Sequence, residues 1–133
     1  MVEMPEEVVA ALSDPEALKV VATVSSSGVP NSVIIATVFP LDPKTIIFSD
    51  LRLGKTKENL FQTRKFTVTV LKQNLESYQV RCAFGRFEER GDITDIIAER
   101  VFERSRLQPR GVVYGAVEEV YSTSLSSPGT RLV

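Results

Sequence analysis

The residues with the clearest chemical meaning lie in one short stretch, SDLRLGKTK, at positions 49–57. Three basic side chains stand there where a helix is predicted to begin, and that end of a helix already carries about half a positive charge. A bound anion removes the conflict, because free backbone N–H groups, the Lys55 ammonium and the Thr56 hydroxyl can all bind a phosphate. Gly54 lets a ligand approach the backbone closely. The spacing is not that of a P-loop, and a solvated basic turn is the alternative interpretation.

Two other segments carry groups that a ligand could use. VPNSV, residues 29–33, leads into a strand predicted over residues 31–39, whose backbone would lie along a flat ligand; an ordinary core strand is the alternative. Gln79 and Arg81 point to one face of another predicted strand. Their amide and guanidinium groups could bind ring heteroatoms or phosphate, or they could face solvent. These residues alone leave both questions open.

Composition excludes several classes of site. The 133 residues contain no histidine, which excludes His acid–base catalysis, Ser-His triads and His-ligated metal sites. Cys82 is the only cysteine, so no internal disulfide forms, which fits a reducing, cytoplasmic compartment. It lies on the apolar face of its predicted strand and is expected to be buried and inert. No metal site is expected, and a cofactor is expected to supply any chemistry.

Charge and hydropathy limit the partners. Sixteen basic residues meet 17 acidic ones, and a net charge of −1 gives no reason to expect nucleic acid as a partner. No apolar run is long enough to cross a membrane, and the acidic start MVEMPEE does not have the pattern of a signal peptide.

The candidate residues need a scaffold, and hydrophobic periodicity predicts one built mainly from strands. Six strands are expected, over residues 18–25, 31–39, 45–49, 65–71, 77–88 and 111–122. Helices are expected over 5–13, 55–63 and 92–106, with a turn over 40–44 and an irregular C-terminal tail over 124–133. This order favours an antiparallel barrel over a doubly wound sheet, in a single domain over residues 1–133.

Two elements have apolar patterns that predict how they pack. The strand over 31–39 is apolar on both faces, so its outer side is expected to be covered by a partner subunit or a ligand. In the helix over 92–106, Asp92 is expected to cap the first turn. Its buried stripe is expected to consist of Ile93, Ile96, Ile97 and Val101.

Taken in this order, the segments resemble the FMN-binding split β-barrel family that is related to pyridoxamine 5′-phosphate oxidase. Six stretches carry the resemblance: VVATVSSSGVPNSVII (20–35), TIIFSD (45–50), GKTKENL (54–60), FTVTVL (66–71), YQVRCAFGRFEE (78–89) and VVYGAVEEVYS (112–122). The resemblance implies a homodimer that holds one FMN per subunit at the dimer interface. A reduced nicotinamide, NADH or NADPH, is one possible electron donor.

The resemblance also implies which residues contact the cofactor: Val33, Ile34, Ile35, Ala36, Phe48, Ser49, Lys55, Thr56 and Gln79. In this assignment the backbone of residues 33–36 runs beside the isoalloxazine ring, and Phe48 and Ser49 lie near it. Lys55 and Thr56 bind the phosphate, and Gln79 contacts the flavin. No catalytic side chain is assigned.

The chain departs from the family pattern at two places. The true oxidases hold their substrate with an arginine and a histidine near the C-terminus, whereas this chain ends in SSPGTRLV, so the vitamin B6 reaction is not expected. Haem-degrading relatives also depend on histidine. The basic residue that often precedes the phosphate-binding lysine is Gly54 here; either Arg52 compensates, or the phosphate has one cation fewer.

The expected function is therefore that of an FMN-dependent oxidoreductase with an unknown substrate. Two alternatives stay open. One is an FMN-binding protein without turnover, such as an electron carrier or a flavin reservoir. The other is an interaction domain that has kept the barrel and lost the cofactor.

Overall fold

Antiparallel strands make up most of the chain in the computed structural model, which describes residues 2–133. Its helices are α1 (Glu6–Ser13), α2 (Lys55–Thr63) and α3 (Asp92–Ser105). Its strands are β1 (Leu18–Val24), β2 (Pro30–Ile34), β3 (Phe39–Asp42), β4 (Thr45–Ser49), β5 (Lys65–Leu71), β6 (Ser77–Glu88), β7 (Val112–Ser122) and β8 (Thr130–Arg131). Within this part of the chain, no helix is both long enough and apolar enough to cross a membrane.

The strands form one sheet in the order β2-β1-β5-β6-β7-β4-β3, with β8 paired to β7. Although β2 and β3 are consecutive in the chain, they lie at opposite edges of this order. Residues 35–38 cross from one edge to the other. The prediction of a mainly β, antiparallel split barrel is confirmed, whereas the predicted count of six strands is wrong because β3 and β8 were not expected.

The strand predicted over residues 31–39 is in fact two strands. β2 ends at Ile34, and the last backbone hydrogen bond to β1 is donated by the Ile35 N–H to the Lys19 carbonyl at 3.1 Å. The chain then leaves β1, and Pro40 lies inside β3 rather than in the predicted turn over 40–44. Proline is tolerated there because β3 is an edge strand that needs fewer N–H donors. The tail over 124–133 is likewise not fully irregular, since β8 pairs with β7.

Within a single chain, the strand β4 is covered on both faces. Ile46 and Phe48 face the barrel core, while Ile47 packs against Val112 and Tyr114 on the other side. Ile34, in contrast, is 69% exposed. The prediction that a partner subunit or a ligand covers the outer side of the segment over 31–39 stays a prediction, since this side is open in a single chain.

Cys82 lies on the inner face of β6, as expected from the alternation of that strand. The residue is 1% exposed, and burial raises the pKa of its thiol well above the ordinary value. The prediction of a buried, unreactive thiol is confirmed, because the thiolate is the reactive form.

The register of α3 differs from the predicted apolar stripe. Thr94 and Val101 are buried, whereas Ile93 and Ile96 are 47% and 53% exposed. The Thr94 hydroxyl lies 2.7 Å from the Tyr114 hydroxyl and donates to the Glu88 carboxylate at 2.6 Å. These hydrogen bonds place Thr94 against the sheet, so the isoleucines beside it turn outward.

The N-terminus of α3 also differs from prediction. Its N-cap position is Gly91, and no side chain caps the helix. Asp92 is instead the first residue of the helix, where its negative charge interacts favourably with the positive end of the helix dipole.

Gly115 allows β7 to pass the core ring of Phe66, and we expect Gly115→Ala to destabilise the barrel. An added Cβ would overlap the Phe66 ring and approach the Ala83 carbonyl oxygen to 3.2 Å. Overpacking of this kind lowers the free energy of unfolding by about 1–3 kcal/mol. Urea unfolding measures the loss, and Phe66→Leu in the same chain should recover part of it. Strictly additive effects of the two substitutions would contradict the assigned clash.

Candidate functional site

A cleft of about 210 Å³ opens where β2, the crossing segment and the loop after β4 meet. Its lining consists of Val33, Ile34, Ile35, Ala36, Thr37, Ser49, Leu51, Arg52 and Leu53. Five of the nine predicted cofactor residues are among them: Val33, Ile34, Ile35, Ala36 and Ser49. The structure therefore brings together the predicted ring-binding segment and the end of β4, which are separated by more than ten residues in the sequence.

Ser49 is the most informative residue of the cleft. The residue is 1% exposed, and its Oγ has no hydrogen-bond partner; it is the one such buried side-chain oxygen or nitrogen in residues 2–133. Its backbone N–H is satisfied, since it donates to Thr37 Oγ1 at 3.1 Å. Leaving a buried hydroxyl unpaired costs about 1–3 kcal/mol. A polar ligand atom in the cleft would supply the missing partner.

The loop over residues 50–54 is built around the buried carboxylate of Asp50. Its Oδ1 accepts the backbone N–H groups of Arg52 and Leu53, both at 2.9 Å, and Oδ2 accepts from Lys57 Nζ at 3.1 Å. Asp50 is also tied to the sheet by its backbone, because its N–H donates to the Gly111 carbonyl at 2.9 Å. Asp50 thus fixes the loop that forms one wall of the cleft.

The charge of Asp50 is stabilised by these contacts. Burial by itself raises the pKa of the carboxyl, but the N–H groups of Leu53 and Arg52 and the Lys57 ammonium together hold that pKa below its ordinary value. Asp50 is therefore ionised at neutral pH. Lys57, whose Nζ also lies 3.9 Å from the centre of the Phe87 ring, is engaged in the fold and is not available to a ligand.

The start of α2 keeps the features predicted for an anion site. Gly54 has φ 56° and ψ −120°, and an added Cβ would meet no atom within 4 Å, so the space above it is open. In the described part of the chain, the N–H groups of Gly54 and Lys55 donate to no backbone carbonyl, and Lys55 has no ion pair. Free backbone N–H groups at Gly54 and Lys55, together with the exposed Lys55 ammonium, suit a phosphate.

Thr56 and Phe48, two of the other predicted residues, lie outside the cleft. Thr56 is fully buried, and its hydroxyl accepts from Asn31 Nδ2 at 3.2 Å, which holds α2 to β2. Phe48 lies in the core, where its ring packs edge-on against Phe66 at 5.4 Å. Their side chains support the cleft from behind and do not line it.

Gln79 also lies away from the cleft, on the outer face of the sheet. It shares a row of paired residues with Thr69, Val20 and Ile34 on successive strands β6, β5, β1 and β2. Three strand spacings separate it from Ile34, a distance of about 14 Å. Gln79 therefore does not line the cleft of its own chain.

A groove of about 540 Å³ runs along the same outer face, past Thr67 and Arg81. None of the nine predicted cofactor residues lines it. Three of its five charged residues are paired, since Glu119 binds Arg81 at 3.0 Å and Arg131 at 3.6 Å. The smaller cleft contains five of the predicted residues, the unpaired Ser49 hydroxyl and the unpaired Arg52 side chain, and is the better candidate.

Four lining residues were not assigned to the site from the sequence: Thr37, Leu51, Arg52 and Leu53. The signal that points to two of them, Arg52 and Leu53, is the Asp50 side chain two or three residues earlier, since an aspartate after a strand commonly binds the N–H groups that follow it. No pattern in the sequence pointed to Thr37, because the position of this residue depends on where β2 ends.

Comparison with solved structures supports the fold. HupZ from Group A Streptococcus is 20% identical, with a TM-score of 0.82 and full coverage of both chains. An FMN-binding protein from Syntrophomonas wolfei is 19% identical, with a TM-score of 0.76 over 90% of this chain and 83% of the other. HutZ, the heme storage protein from Vibrio cholerae, is 13% identical, with a TM-score of 0.61 over 91% and 95%.

Comparison by sequence decides the family. No curated protein matches the chain. The family model of pyridoxamine 5′-phosphate oxidase matches residues 4–124, which is most of the chain and includes every residue of the cleft. The sheet order, the cleft and this match agree, and the chain belongs to the pyridoxamine 5′-phosphate oxidase family.

Proposed function

We propose that the chain is an FMN-binding flavoprotein that works as a flavin-dependent oxidoreductase in the cytoplasm. The observation that carries the proposal is the unpaired Ser49 hydroxyl in a cleft that Arg52, from the loop before α2, also lines. The FMN-binding protein from Syntrophomonas wolfei, which has the same fold, adds support for this ligand.

The cleft and the start of α2, which follows its last lining residue in the chain, offer groups that suit the two chemically different ends of FMN. The segment over 33–36 offers an apolar wall for a flat ring, and Ser49 offers a hydroxyl to a ring nitrogen or oxygen. The open backbone at Gly54 and the exposed Lys55 suit the dianionic phosphate. A neutral or purely apolar ligand would use only the first of these.

Bound FMN supplies the redox chemistry, by accepting a hydride from a reduced donor and passing electrons on. The chain itself binds and orients the cofactor. Asp50 holds the loop in place, residues 33–36 exclude water from one side of the ring, and Ser49 fixes the ring through its hydroxyl. The vitamin B6 oxidation is not part of the proposal, because the histidine on which it depends is absent from the chain.

A homodimer is part of the proposal, since Gln79 does not line the cleft of its own chain and lies three strands from Ile34. The outer row that contains Gln79 ends at Ile34, which is 69% exposed, and Leu18 nearby is 45% exposed. A twofold partner would cover these apolar side chains and bring its own Gln79 to the ring. Light scattering at micromolar concentration tests this, and a monomer with bound flavin would contradict it.

One observation favours the second candidate, an FMN carrier without turnover. Arg52 is the one ionisable side chain among the nine residues of the cleft. A guanidinium does not give up its proton at neutral pH and so does not act as an acid or a base. Any proton transfer would then depend on water or on the substrate.

Titration with FMN tests the binding proposal directly. We expect the purified protein to bind FMN and to gain about 2.7 kcal/mol of stability when free FMN reaches 100 times its dissociation constant. Absorption bands of bound oxidised flavin and the shift of the melting temperature measure this. A colourless protein whose melting temperature does not respond to FMN would contradict it and would favour a cofactor-free interaction domain.

Anaerobic stopped-flow mixing separates the enzyme from the carrier. If the protein is an oxidoreductase, NADH, NADPH or a reduced deazaflavin should bleach the bound flavin. If it is a carrier without turnover, none of these donors should reduce the bound flavin during the stopped-flow measurement.

A further inference from the structure

We propose that Arg52 binds the phosphate of the cofactor and replaces the basic residue that position 54 lacks. The inference rests on the proposed FMN site and assigns a residue of this chain to one chemical group, a phosphoryl dianion. It decides between the two possibilities that the sequence left open, namely compensation by Arg52 or a phosphate with one cation fewer.

The backbone explains why position 54 carries no cation. Gly54 has φ 56° and ψ −120°, a conformation that L-residues rarely adopt. An arginine there would strain the entry to α2, although no neighbouring atom would block it. This backbone conformation excludes position 54 as the source of a second cation, which leaves the basic residues on either side of it.

Lys57 is another basic residue close in sequence that could bind the phosphate, but its contacts in the structure exclude it. Its ammonium is held by Asp50 at 3.1 Å and lies over the Phe87 ring. Releasing Lys57 would leave the buried Asp50 carboxylate without its cation. Two unpaired basic residues are left beside the cleft, Lys55 and Arg52.

Arg52 lies in the cleft with Ser49, the residue whose buried hydroxyl lacks a partner. The guanidinium of Arg52 makes no ion pair and no hydrogen bond within residues 2–133. Its backbone has φ 108°, a strained value for a residue with a Cβ.

Asp50 offsets this backbone strain by accepting the Arg52 N–H at 2.9 Å. The loop thus holds an unpaired guanidinium at the wall of the cleft. A guanidinium there can bind two phosphate oxygens at once, which an ammonium cannot do with the same geometry.

The test compares FMN with riboflavin, which has the same ring and no phosphate. We expect Arg52→Ala to weaken FMN binding by about ten- to a hundredfold and to leave riboflavin binding unchanged. Arg52→Lys should lose part of the affinity, because the charge stays and the paired hydrogen bonds are lost. Arg100→Ala is the matched control, since Arg100 is exposed on α3 and has no ion pair in the described chain. Arg52→Gln provides a second neutral variant should the alanine variant fold poorly.

Each other outcome has a definite meaning. If wild type prefers FMN to riboflavin and Arg52→Ala behaves like Arg100→Ala, the role of Arg52 is overturned while the FMN site stands. If Arg52→Ala weakens both flavins equally, Arg52 supports the ring or the loop and the phosphate assignment is wrong. If wild type binds neither flavin, or binds both equally, the proposed phosphate site fails and the role of Arg52 fails with it.

Discussion

Asp50→Asn is expected to lower the free energy of unfolding at pH 7 by about 3 kcal/mol, although the side chain keeps its size. The carboxylate is fully buried and accepts two backbone N–H groups and the Lys57 ammonium. An amide cannot accept all three equally well, and it leaves Lys57 without its counter-charge. Urea unfolding of the apo protein measures the loss.

The effect of this substitution should depend on pH with a definite sign. The pKa of Asp50 is lowered in the folded state, so its charge stabilises the fold above the unfolded value of about 3.9. That contribution is lost as the pH falls through the lower folded pKa. The stability difference between wild type and Asp50→Asn should therefore be constant near neutrality and shrink below about pH 4.

Asp42→Asn is the matched control, because Asp42 also accepts a backbone N–H two residues later, from Lys44 at 2.8 Å, but on the exposed surface. We expect a change of about 0.5 kcal/mol or less for it. If the two asparagine variants were equally stable, the loop over 50–54 would not depend on Asp50 as described.

Lys55→Glu should weaken FMN binding by about a hundredfold or more and leave the apo protein as stable as wild type or slightly more stable. The substitution places a negative charge where the phosphate is expected, and like charges at close range cost several kcal/mol. The same glutamate lies in the first turn of α2, where an acidic side chain favours the helix by about 0.3–1 kcal/mol. Affinity and stability therefore change in opposite directions.

Fluorescence titration with FMN and thermal unfolding of the apo protein measure the two effects. Lys44→Glu is the control, since Lys44 is exposed, lies near Glu3 at 3.8 Å, and gives the same change in net charge. Equal FMN affinity in the two glutamate variants would place the phosphate elsewhere.

Much of the scaffold could be predicted because its signals are local. Alternation along β5 and β6, and the start of α2 at Lys55, follow from neighbouring residues. Residues 33–36 were assigned to the flavin ring by resemblance; the structure shows that they line the same cleft as Ser49, and their contact with a ring stays a prediction. Where each signal was contained in a few consecutive residues, prediction and structure agree.

The errors come from contacts between residues far apart in the sequence. Thr56 has the hydroxyl expected of a phosphate ligand, but the partner that buries it, Asn31, is 25 residues away. The split of the strand over 31–39 depends on which sheet edge the chain must reach. The exposed Ile96 follows from Thr94 bonding to Tyr114 across 20 residues. No local pattern contains these partners.

The pairing of β4 with β7 has a consequence for how the protein is made. Every residue of the cleft lies between positions 33 and 53, yet Ser49 pairs with Val112, and the N–H of Arg110 donates to the Asp50 carbonyl. A nascent chain that has released its first 60 residues from the ribosome thus holds all the lining side chains and no formed cleft. Any ligand that enters the cleft during translation must wait for the last long strand, because residues 110–112 hold Ser49 and Asp50 in place.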